Sequence, residues 1–252
     1  MKKIVSALVV IAATSGFLAA CSSVNDPSQA YKGESEQQIY EKGKKATQDK
    51  SFTEAVKRFE ALNVQYPYGD ATQHAQFYII YAYYMKEEYA LASSAADQFI
   101  RTYPTDPHVD YAYYMKGLSD YYQNLGVIER FFKLDLATRD LTQIQKSYID
   151  FDQLVMKFPN SVYAPAAHQY LVYLRNVLAD HEVHVAEYYF MRHAYIAAAN
   201  RGSNVVTHFE GSPSVPEALV IMAKSYKALN MTAQYDQTMK VLELNYPAIH
   251  LS

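Results

Sequence analysis

The chain has 252 residues, half of them hydrophobic, and carries 23 basic and 26 acidic side chains for a formal net charge of −3. Such a weakly acidic chain has no basic field to attract nucleic acid, so we expect no nucleic-acid partner. Its single cysteine excludes an intramolecular disulfide, a thiolate zinc cluster and a Cys-x-x-Cys redox pair.

The N-terminus has the pattern of a secretory signal peptide over residues 1–20. A short basic start precedes an apolar stretch at 4–18, which is too short to span a bilayer comfortably. The stretch ends in LAAC (18–21), which resembles a bacterial lipobox, where the cysteine is lipidated and becomes the mature N-terminus. We therefore predict lipidation of Cys21, and a triacylated cysteine gives stable membrane anchoring.

The residues after the cysteine indicate location and flexibility. By resemblance to enterobacterial sorting, the non-Asp residue Ser22 favours the outer membrane. Residues 21–34 are polar and interrupted by Pro, Gly and Ser, which predicts a lipidated, flexible tether. No later apolar run approaches membrane-spanning length, so we expect the rest of the mature chain to fold as a body on that tether.

Helix ends recur along the chain. Pro cannot continue a helix and disfavours helical geometry in the residue before it, so an aromatic-Pro dipeptide predicts a helix end. The chain has four such dipeptides: Tyr66-Pro67, Tyr103-Pro104, Phe158-Pro159 and Tyr246-Pro247. A fifth helix end is predicted at EGSP (210–213). The prolines at 67 and 104 are 37 residues apart and those at 213 and 247 are 34 apart. A period near 34 with two helices per unit is typical of tetratricopeptide (TPR) repeats.

This pattern predicts an all-α, TPR-like α-solenoid of about five helix-hairpin units. Gly43 stands where a small residue allows close helix contact, and positions equivalent to Ala55 recur at 92, 147 and 235. The stretch 162–193 has no Pro or Gly near 181 to divide it; one continuous rod and two shorter helices are both open. About ten helices are expected, at 35–48, 52–66, 71–86, 89–103, 107–123, 140–158, 162–193, 195–210, 215–229 and 232–245.

Local signals agree with these boundaries. Capping boxes, in which Ser and a Gln or Glu three residues later satisfy backbone N–H groups, are predicted at Ser35, Ser51 and Ser214. Asp106-Pro107 predicts a cap residue followed by Pro at the first helical position. We expect one solenoid over 35–252, with an N-terminal half at 35–123, an insertion at 124–139 and a C-terminal half at 140–252.

Catalytic and metal-binding chemistry is not supported. The segment HEVH (181–184) places its two His three residues apart, whereas zincins need them four apart on one helix face. A metal-dependent hydrolase would use His181 and His184 together with Glu187 or His193 as metal ligands. The favoured interpretation is that these are polar residues on a solvated helix face. No GxSxG elbow or Gly-rich phosphate loop occurs. We expect no catalytic residue, no metal and no cofactor apart from the covalent lipid.

Tyrosine is unusually abundant, with 25 Tyr and no Trp. The tyrosines concentrate at 78–84, 111–122 and 186–190, on the first helices of units, which line the concave surface of TPR arrays. Tyr offers rigid amphipathic area that suits extended peptides, although many rings could instead fill gaps between stacked helices. By helical position, the groove candidates are Tyr40, His74, Phe77, Tyr81 and Tyr84.

Several longer segments resemble one known family. They are RFEALNVQYPYGD (58–70), IIYAYY (79–84), FIRTYPTDPHVDYAYYMKGL (99–118), RFFKLDLATRD (130–140), FPNSVYAPAA (158–167) and LVYLRNVLADHEVHVAEYYFMRHAYIAAANR (171–201). With the lipobox they cover nearly the whole mature chain and are similar to the BamD (ComL/YfiO) outer-membrane assembly lipoproteins. The resemblance implies a lipoprotein on the periplasmic face of the outer membrane of a Gram-negative bacterium. It also implies three kinds of partner: the periplasmic domains of the barrel insertase BamA, further assembly lipoproteins and unfolded β-barrel precursors.

The resemblance also implies roles for four residues. Arg192 and Arg201 match arginines on the family's BamA-facing C-terminal half, and guanidinium forks suit partner carboxylates. Tyr66 and Gly69 match N-terminal positions implicated in engaging the precursor's terminal signal strand.

Some details depart from the family or stay open. Thr53 stands where some relatives have Arg, and His193 replaces the usual Gly. For Arg192 the alternative is intramolecular pairing with Glu182 or Glu187. The favoured interpretation is a non-catalytic scaffold of β-barrel assembly. The alternative is another periplasmic TPR lipoprotein that serves cell-envelope or division machinery.

Overall fold

The computed structural model describes residues 26–125, 136–138 and 140–249. These residues form α-helices joined by short turns, together with a 3-10 turn at Leu136–Thr138, and confirm the all-α prediction. The ten helices of this part are α1 (Glu36–Gln48), α2 (Phe52–Gln65), α3 (Asp70–Met85), α4 (Tyr89–Thr102), α5 (Val109–Asn124), α6 (Thr142–Lys157), α7 (Ala164–Met191), α8 (Tyr195–His208), α9 (Val215–Ala228) and α10 (Thr232–Asn245).

Helix α7 settles the open question about its length, because it runs unbroken from Ala164 to Met191. Pro165 lies in its first turn, where a missing backbone N–H costs no helical hydrogen bond. Three predicted features lie outside the described residues: the signal peptide (1–20), Cys21 and most of the insertion at 124–139.

The chain divides into two compact units, the first ending at Ala82 and the second beginning at Tyr83. In the first unit α1 packs against α2. In the second, each helix from α4 to α10 packs against its neighbour in the chain, and α7 also contacts α9. This order of packing is that of stacked helix hairpins. The single body predicted over 35–252 stays a prediction.

Small residues bring hairpin helices close together, as predicted for Gly43. A Cβ atom built on Gly43 would lie 2.6 Å from Cε1 of the fully buried Phe59. Gly117 of α5 repeats this relation with Phe151 of α6, at 2.8 Å. Because no side chain could fit at these two glycines without displacing a buried ring, they set the spacing of both hairpins.

The turns inside four hairpins share one backbone form. The second residue after each helix has a positive φ near 60°, and the next N–H bonds to a carbonyl five residues earlier. This is a Schellman motif, in which glycine is the usual residue at positive φ. The four residues with positive φ are Lys50, Glu87, His193 and Asn230.

The turn after each hairpin begins at an aromatic residue. Its N–H bonds to the carbonyl four residues earlier, and its carbonyl accepts from the N–H three residues later. Five residues do this: Tyr66, Tyr103, Phe158, Phe209 and Tyr246. Phe209 and Tyr246 are 37 residues apart, as are Tyr66 and Tyr103. Between equivalent turn residues the C-terminal period is therefore 37 and not the 34 that separates Pro213 from Pro247, because Glu210 takes the position that Pro has in the other turns.

One of the three predicted capping boxes forms. Ser35 has extended backbone (ψ 162°), its Oγ accepts from Gln38 N at 3.3 Å, and Gln38 Oε1 accepts from Ser35 N at 2.9 Å. The boxes at Ser51 and Ser214 were wrong. Their ψ angles of 59° and −9° turn the side-chain oxygen away from the free N–H groups.

The predicted cap at Asp106-Pro107 was also wrong in register. Asp106 Oδ1 accepts from the backbone N–H of His108 at 2.7 Å, and α5 begins only at Val109. Pro107 therefore lies in the turn before the helix, so the aspartate stabilises a turn and not the first helical residue.

Part of the predicted flexible tether packs against the first hairpin. Gln65 Nε2 donates to the carbonyls of Pro27 (2.8 Å) and Ala30 (2.6 Å). The Tyr31 hydroxyl donates to Glu54 at 3.0 Å, and the Arg58 guanidinium lies 4.0 Å from the Tyr31 ring centroid. These contacts correct the prediction for residues 27–34, because their polar groups find partners on α2.

Candidate polypeptide-binding surface

Of the predicted groove residues, Tyr40 lies within the packing of the first unit. Its ring contacts Phe59 and Tyr78, with centroids 6.4 and 6.1 Å away, and Tyr78 stacks on Phe59 at 5.5 Å. Burial, and then the neighbouring Tyr78, raise the pKa of Tyr40 to about 12. We call Tyr40, Phe59 and Tyr78 the closed aromatic cluster, because the fully buried Phe59 ring is its centre.

Tyr66 and Gly69 shape the turn between α2 and α3. The Tyr66 hydroxyl donates to the Glu34 carbonyl (3.1 Å), and the Tyr66 carbonyl accepts from Thr72 Oγ1 (2.6 Å). Glu36 Oε1 accepts from Ala71 N at 3.0 Å, where the N-terminus of α3 favours a negative charge. The Glu36 carboxyl fills the space beside Gly69, so a Cβ there would collide with it.

The same turn presents an aromatic side chain that the sequence did not single out. Tyr68, between Tyr66 and Gly69, is 99% exposed. A tyrosine held this far into solvent by a fixed turn is a candidate contact for a partner. The only signal in the sequence was its position inside QYPYG.

The remaining first-unit candidates lie on α3. His74 is exposed, and its Nδ1 lies 3.0 Å from the Asp70 carbonyl oxygen. Phe77 is half-buried. Tyr81 is 37% exposed and meets Phe52 edge-on at 6.0 Å. The spacing of these three residues places them on one side of the helix.

Tyr84 belongs to the second unit and joins a run of rings there. It contacts Tyr89 and Tyr122 at 5.4 and 5.9 Å, and those two stack at 5.6 Å. Tyr121 contacts Tyr122 at 5.1 Å and continues the run.

The run ends on α7, where Tyr121 contacts Tyr170 at 5.4 Å and Tyr173 at 6.0 Å. Tyr173 is 43% exposed, and the other rings of the run are half-buried. We call the run the tyrosine surface: Tyr84, Tyr89, Tyr121, Tyr122, Tyr170 and Tyr173. Only Tyr84 of this set was predicted as an individual binding residue. The sequence did not identify the others because the helices that bring them together are far apart in the chain.

Burial favours the protonated hydroxyl at three residues of the tyrosine surface. It is the largest cause that raises the pKa of Tyr84, Tyr121 and Tyr170 above the usual value, and neighbouring tyrosines raise each further. The surface therefore offers ring faces together with neutral O–H groups that both donate and accept. This combination suits a polypeptide with an exposed backbone.

The two predicted arginines have different environments. Arg201 Nη1 donates to both carboxylate oxygens of Glu182 at 3.1 Å. Arg192 is exposed at the end of α7, with its guanidinium 5.1 Å from the Tyr188 ring centroid. The intramolecular pairing with Glu182 that was considered for Arg192 thus belongs to Arg201.

The HEVH segment of α7 serves packing. His181 Nδ1 lies 2.5 Å from the Ala137 carbonyl oxygen, and the Nδ1 atom of His184 is buried with no hydrogen-bond partner among the described residues. Within that part of the chain, no group of three or more His, Cys, Asp or Glu side chains could hold a metal ion. Likewise, none of its helices is both long and apolar enough to cross a membrane.

A family model described as YfiO, outer membrane lipoprotein, matches residues 32–242. The chain belongs to the YfiO family. Similar curated YfiO relatives are named outer membrane protein assembly factor BamD. The one from Neisseria meningitidis serogroup B is 34% identical over 91% of this chain and 87% of its own length. The one from Pasteurella multocida is 31% identical over 97% and 92%.

A solved structure also aligns with this YfiO protein, at a low level. It contains nearly identical TPR-like repeats from Podosopora anserina, with 11% identity, a TM-score of 0.42, and coverage of 82% of this chain and 92% of that one. The helix-hairpin architecture described above therefore stands on the helices and turns of this chain itself.

Proposed function

We propose that this YfiO protein is a non-catalytic scaffold of outer-membrane β-barrel assembly, anchored by a lipid on Cys21 at the periplasmic face of the outer membrane. The names of its relatives support the role in assembly. Its tyrosine surface receives unfolded barrel precursors, and its C-terminal half binds the periplasmic domains of BamA. Further assembly lipoproteins complete the set of partners.

The tyrosine surface is the observation that carries this proposal. An unfolded barrel precursor presents extended backbone and alternating aromatic or aliphatic side chains. The rings supply apolar contact area at a low cost in side-chain entropy, and their neutral hydroxyls bond to backbone groups. In the first unit, the exposed Tyr68 and the face of His74, Phe77 and Tyr81 offer further contacts.

The two arginines on the C-terminal half support a separate contact with BamA. Arg192 is exposed and free to reach a partner carboxylate, while Arg201 is 45% exposed although it pairs with Glu182. A partner carboxylate could share the Arg201 guanidinium, because Glu182 engages only its Nη1 atom.

Photocrosslinking tests the receiving role. p-Benzoylphenylalanine is placed at Tyr173, on the tyrosine surface, and as a control at Leu244, which is 73% exposed on α10. We expect pulse-labelled barrel precursors to crosslink at position 173 and not at 244. Equal crosslinking at both positions would contradict the proposal. So would depletion of the protein that leaves outer-membrane barrels folded.

A charge exchange tests the BamA contact. Arg201→Glu alone removes both the Glu182 pair and any partner contact, so it is expected to weaken co-purification with BamA. The double variant Glu182→Arg/Arg201→Glu restores the internal pair with its charges reversed. If co-purification with BamA returns, Arg201 acts only within the chain and is no longer part of the proposed BamA contact. If co-purification stays lost, the result supports a direct contact between Arg201 and BamA.

A further inference from the structure

A polar trough runs along α4, α5 and α6 in the second unit. It encloses about 510 Å³, with α5 as its floor and α4 and α6 as its walls. Its lining is mainly polar: Ser93, Ser94 and Asp97 from α4, Lys116, Asp120 and Gln123 from α5, and Gln143, Lys146, Asp150 and Gln153 from α6. None of these residues belongs to the tyrosine surface.

An ion triplet closes one end of the trough. Lys116 Nζ lies 2.9 Å from Asp150 Oδ1 and 3.1 Å from Asp97 Oδ1, so one ammonium joins the two walls to the floor. From Lys116 the floor continues through Asp120 to Gln123. Seven residues of helix correspond to about 10 Å. The trough is thus long enough for about three residues of extended chain, at roughly 3.3 Å each.

Two buried acceptor atoms on the α6 wall of the trough have no hydrogen-bond partner among the described residues. Asp150 is only 3% exposed, and its Oδ2 atom has no hydrogen-bond partner among the described residues. Asp120 is 4% exposed, and its carboxyl is close enough to raise the pKa of Asp150. Further along, Gln143 Oε1 is a second buried acceptor for which the described part of the chain offers no hydrogen-bond partner. Buried carboxylates side by side are costly unless a donor lies between them.

The charges also favour a cationic occupant. Burial is the main reason that the pKa of Asp150 is raised, and Lys116 opposes this rise. Three aspartates and two lysines line the trough, so its net charge is negative.

We propose that the polar trough binds an extended segment of a partner polypeptide through an arginine side chain, whose guanidinium donates to Asp120 and Asp150. A guanidinium is planar and offers five N–H donors, so it can serve two adjacent carboxylates at once. The peptide N–H groups next to it reach Gln143 and the serines of α4. Ile149, which is 52% exposed at the rim, contacts the apolar stem of the arginine or of a neighbouring residue.

Fluorescent pentapeptides of sequence Gly-Gly-X-Gly-Gly, blocked at both ends, test this with the purified full chain. X is arginine, citrulline or lysine, and binding is followed by fluorescence polarisation. Citrulline keeps the shape of arginine but has no charge. We expect saturable binding of the arginine peptide, and binding of the citrulline and lysine peptides that is weaker by roughly tenfold or more.

Variants place the binding in the trough. Asp150→Asn is expected to weaken binding of the arginine peptide by roughly tenfold. Asp152→Asn is the matched control, because Asp152 lies on the same helix outside the trough and should leave binding unchanged. Gln143→Met removes an acceptor and keeps the ion triplet, so it tests the site even if Asp150→Asn unfolds.

Three results would overturn the inference. One is equal binding of the citrulline and arginine peptides, which would show that no carboxylate recognises the charge. Another is equal binding of the lysine peptide, which would remove the guanidinium from the proposal. The third is arginine-peptide binding that neither Asp150→Asn nor Gln143→Met weakens. None of these measurements depends on the assembly role, because they use neither BamA nor a barrel precursor.

Discussion

The two units place their tyrosines differently. In the first, Tyr40 and Tyr78 pack around the fully buried Phe59 and form the closed aromatic cluster. In the second, the rings of the tyrosine surface pack mainly against one another, and Tyr173 remains 43% exposed. Tyrosines thus pack around one buried phenylalanine in the first unit, whereas in the second they form a continuous run of rings that ends at an exposed one.

The difference shows that a ring's neighbours decide its role. Phe151 of the second unit faces Gly117 as Phe59 faces Gly43, and Tyr170 stacks on it at 4.9 Å. Tyr170 covers one face of Phe151 and also belongs to the tyrosine surface. The surface therefore rests on a rigid aromatic base, which fixes its rings before any partner arrives.

Truncating the centre of the closed cluster should have the largest effect. Phe59→Ala leaves a cavity under Tyr40 and Tyr78 and is expected to lower the free energy of unfolding by about 3–5 kcal/mol. Tyr173→Ala removes an exposed ring and should cost less than about 1 kcal/mol. Denaturant titrations followed by circular dichroism measure both. Equal losses of unfolding free energy in the two variants would show that the closed aromatic cluster and the tyrosine surface do not differ in packing as described.

Gly69→Ala tests whether the turn after the closed cluster acts through its shape. The new methyl group collides with the Glu36 carboxyl, so we expect a loss of about 1–3 kcal/mol in unfolding free energy. Adding Glu36→Ala removes the obstacle and should recover part of this loss, although it also removes the carboxylate that bonds Ala71 N. If the double variant is no more stable than Gly69→Ala alone, the collision is not the cause.

Local patterns predicted the fold well. Aromatic-Pro dipeptides gave four of the five turns that follow a hairpin, and the capping box at Ser35 formed as expected. The fifth turn follows Phe209, where Glu210 stands in place of Pro, so no aromatic-Pro dipeptide marked its register. Ser51 and Ser214 matched the capping pattern in type but not in backbone angle, which a sequence pattern cannot specify.

The candidate site was less predictable than the fold. Tyr40 was expected in a groove, and its half-buried ring contacts Phe59 and Tyr78, a pairing that depends on helix spacing. Tyr121 and Tyr173 are 52 residues apart in the chain, and only the packing of α5 and α7 brings them together. Helical periodicity identifies the face of one helix and gives no information on such pairs.

Tyr173→Ala is expected to separate binding from stability. Loss of this ring from the tyrosine surface should weaken binding of an unfolded barrel-precursor peptide by roughly tenfold, since one stacked aromatic contributes about 1–2 kcal/mol at an interface. Polarisation with a labelled precursor peptide measures the change. Val162→Ala, at a site 83% exposed outside that surface, is the control and should bind as the unaltered chain does. Unchanged binding by Tyr173→Ala would remove this ring from the proposed surface.

The smallest effect concerns a feature that the two units share. Lys50 in the first unit and His193 in the second have φ values of 57° and 59°, in the region that favours glycine. Relief of the left-handed backbone strain at position 50 exceeds the cost of the conformational entropy that glycine adds to the unfolded chain. Lys50→Gly should therefore raise the unfolding free energy by about 0.5–1 kcal/mol. His193→Gly relieves the same strain but loses the 2.8 Å bond between His193 Nδ1 and the Tyr195 hydroxyl. We therefore expect a smaller gain there, and a loss of stability at both sites would show that the positive φ is not strained.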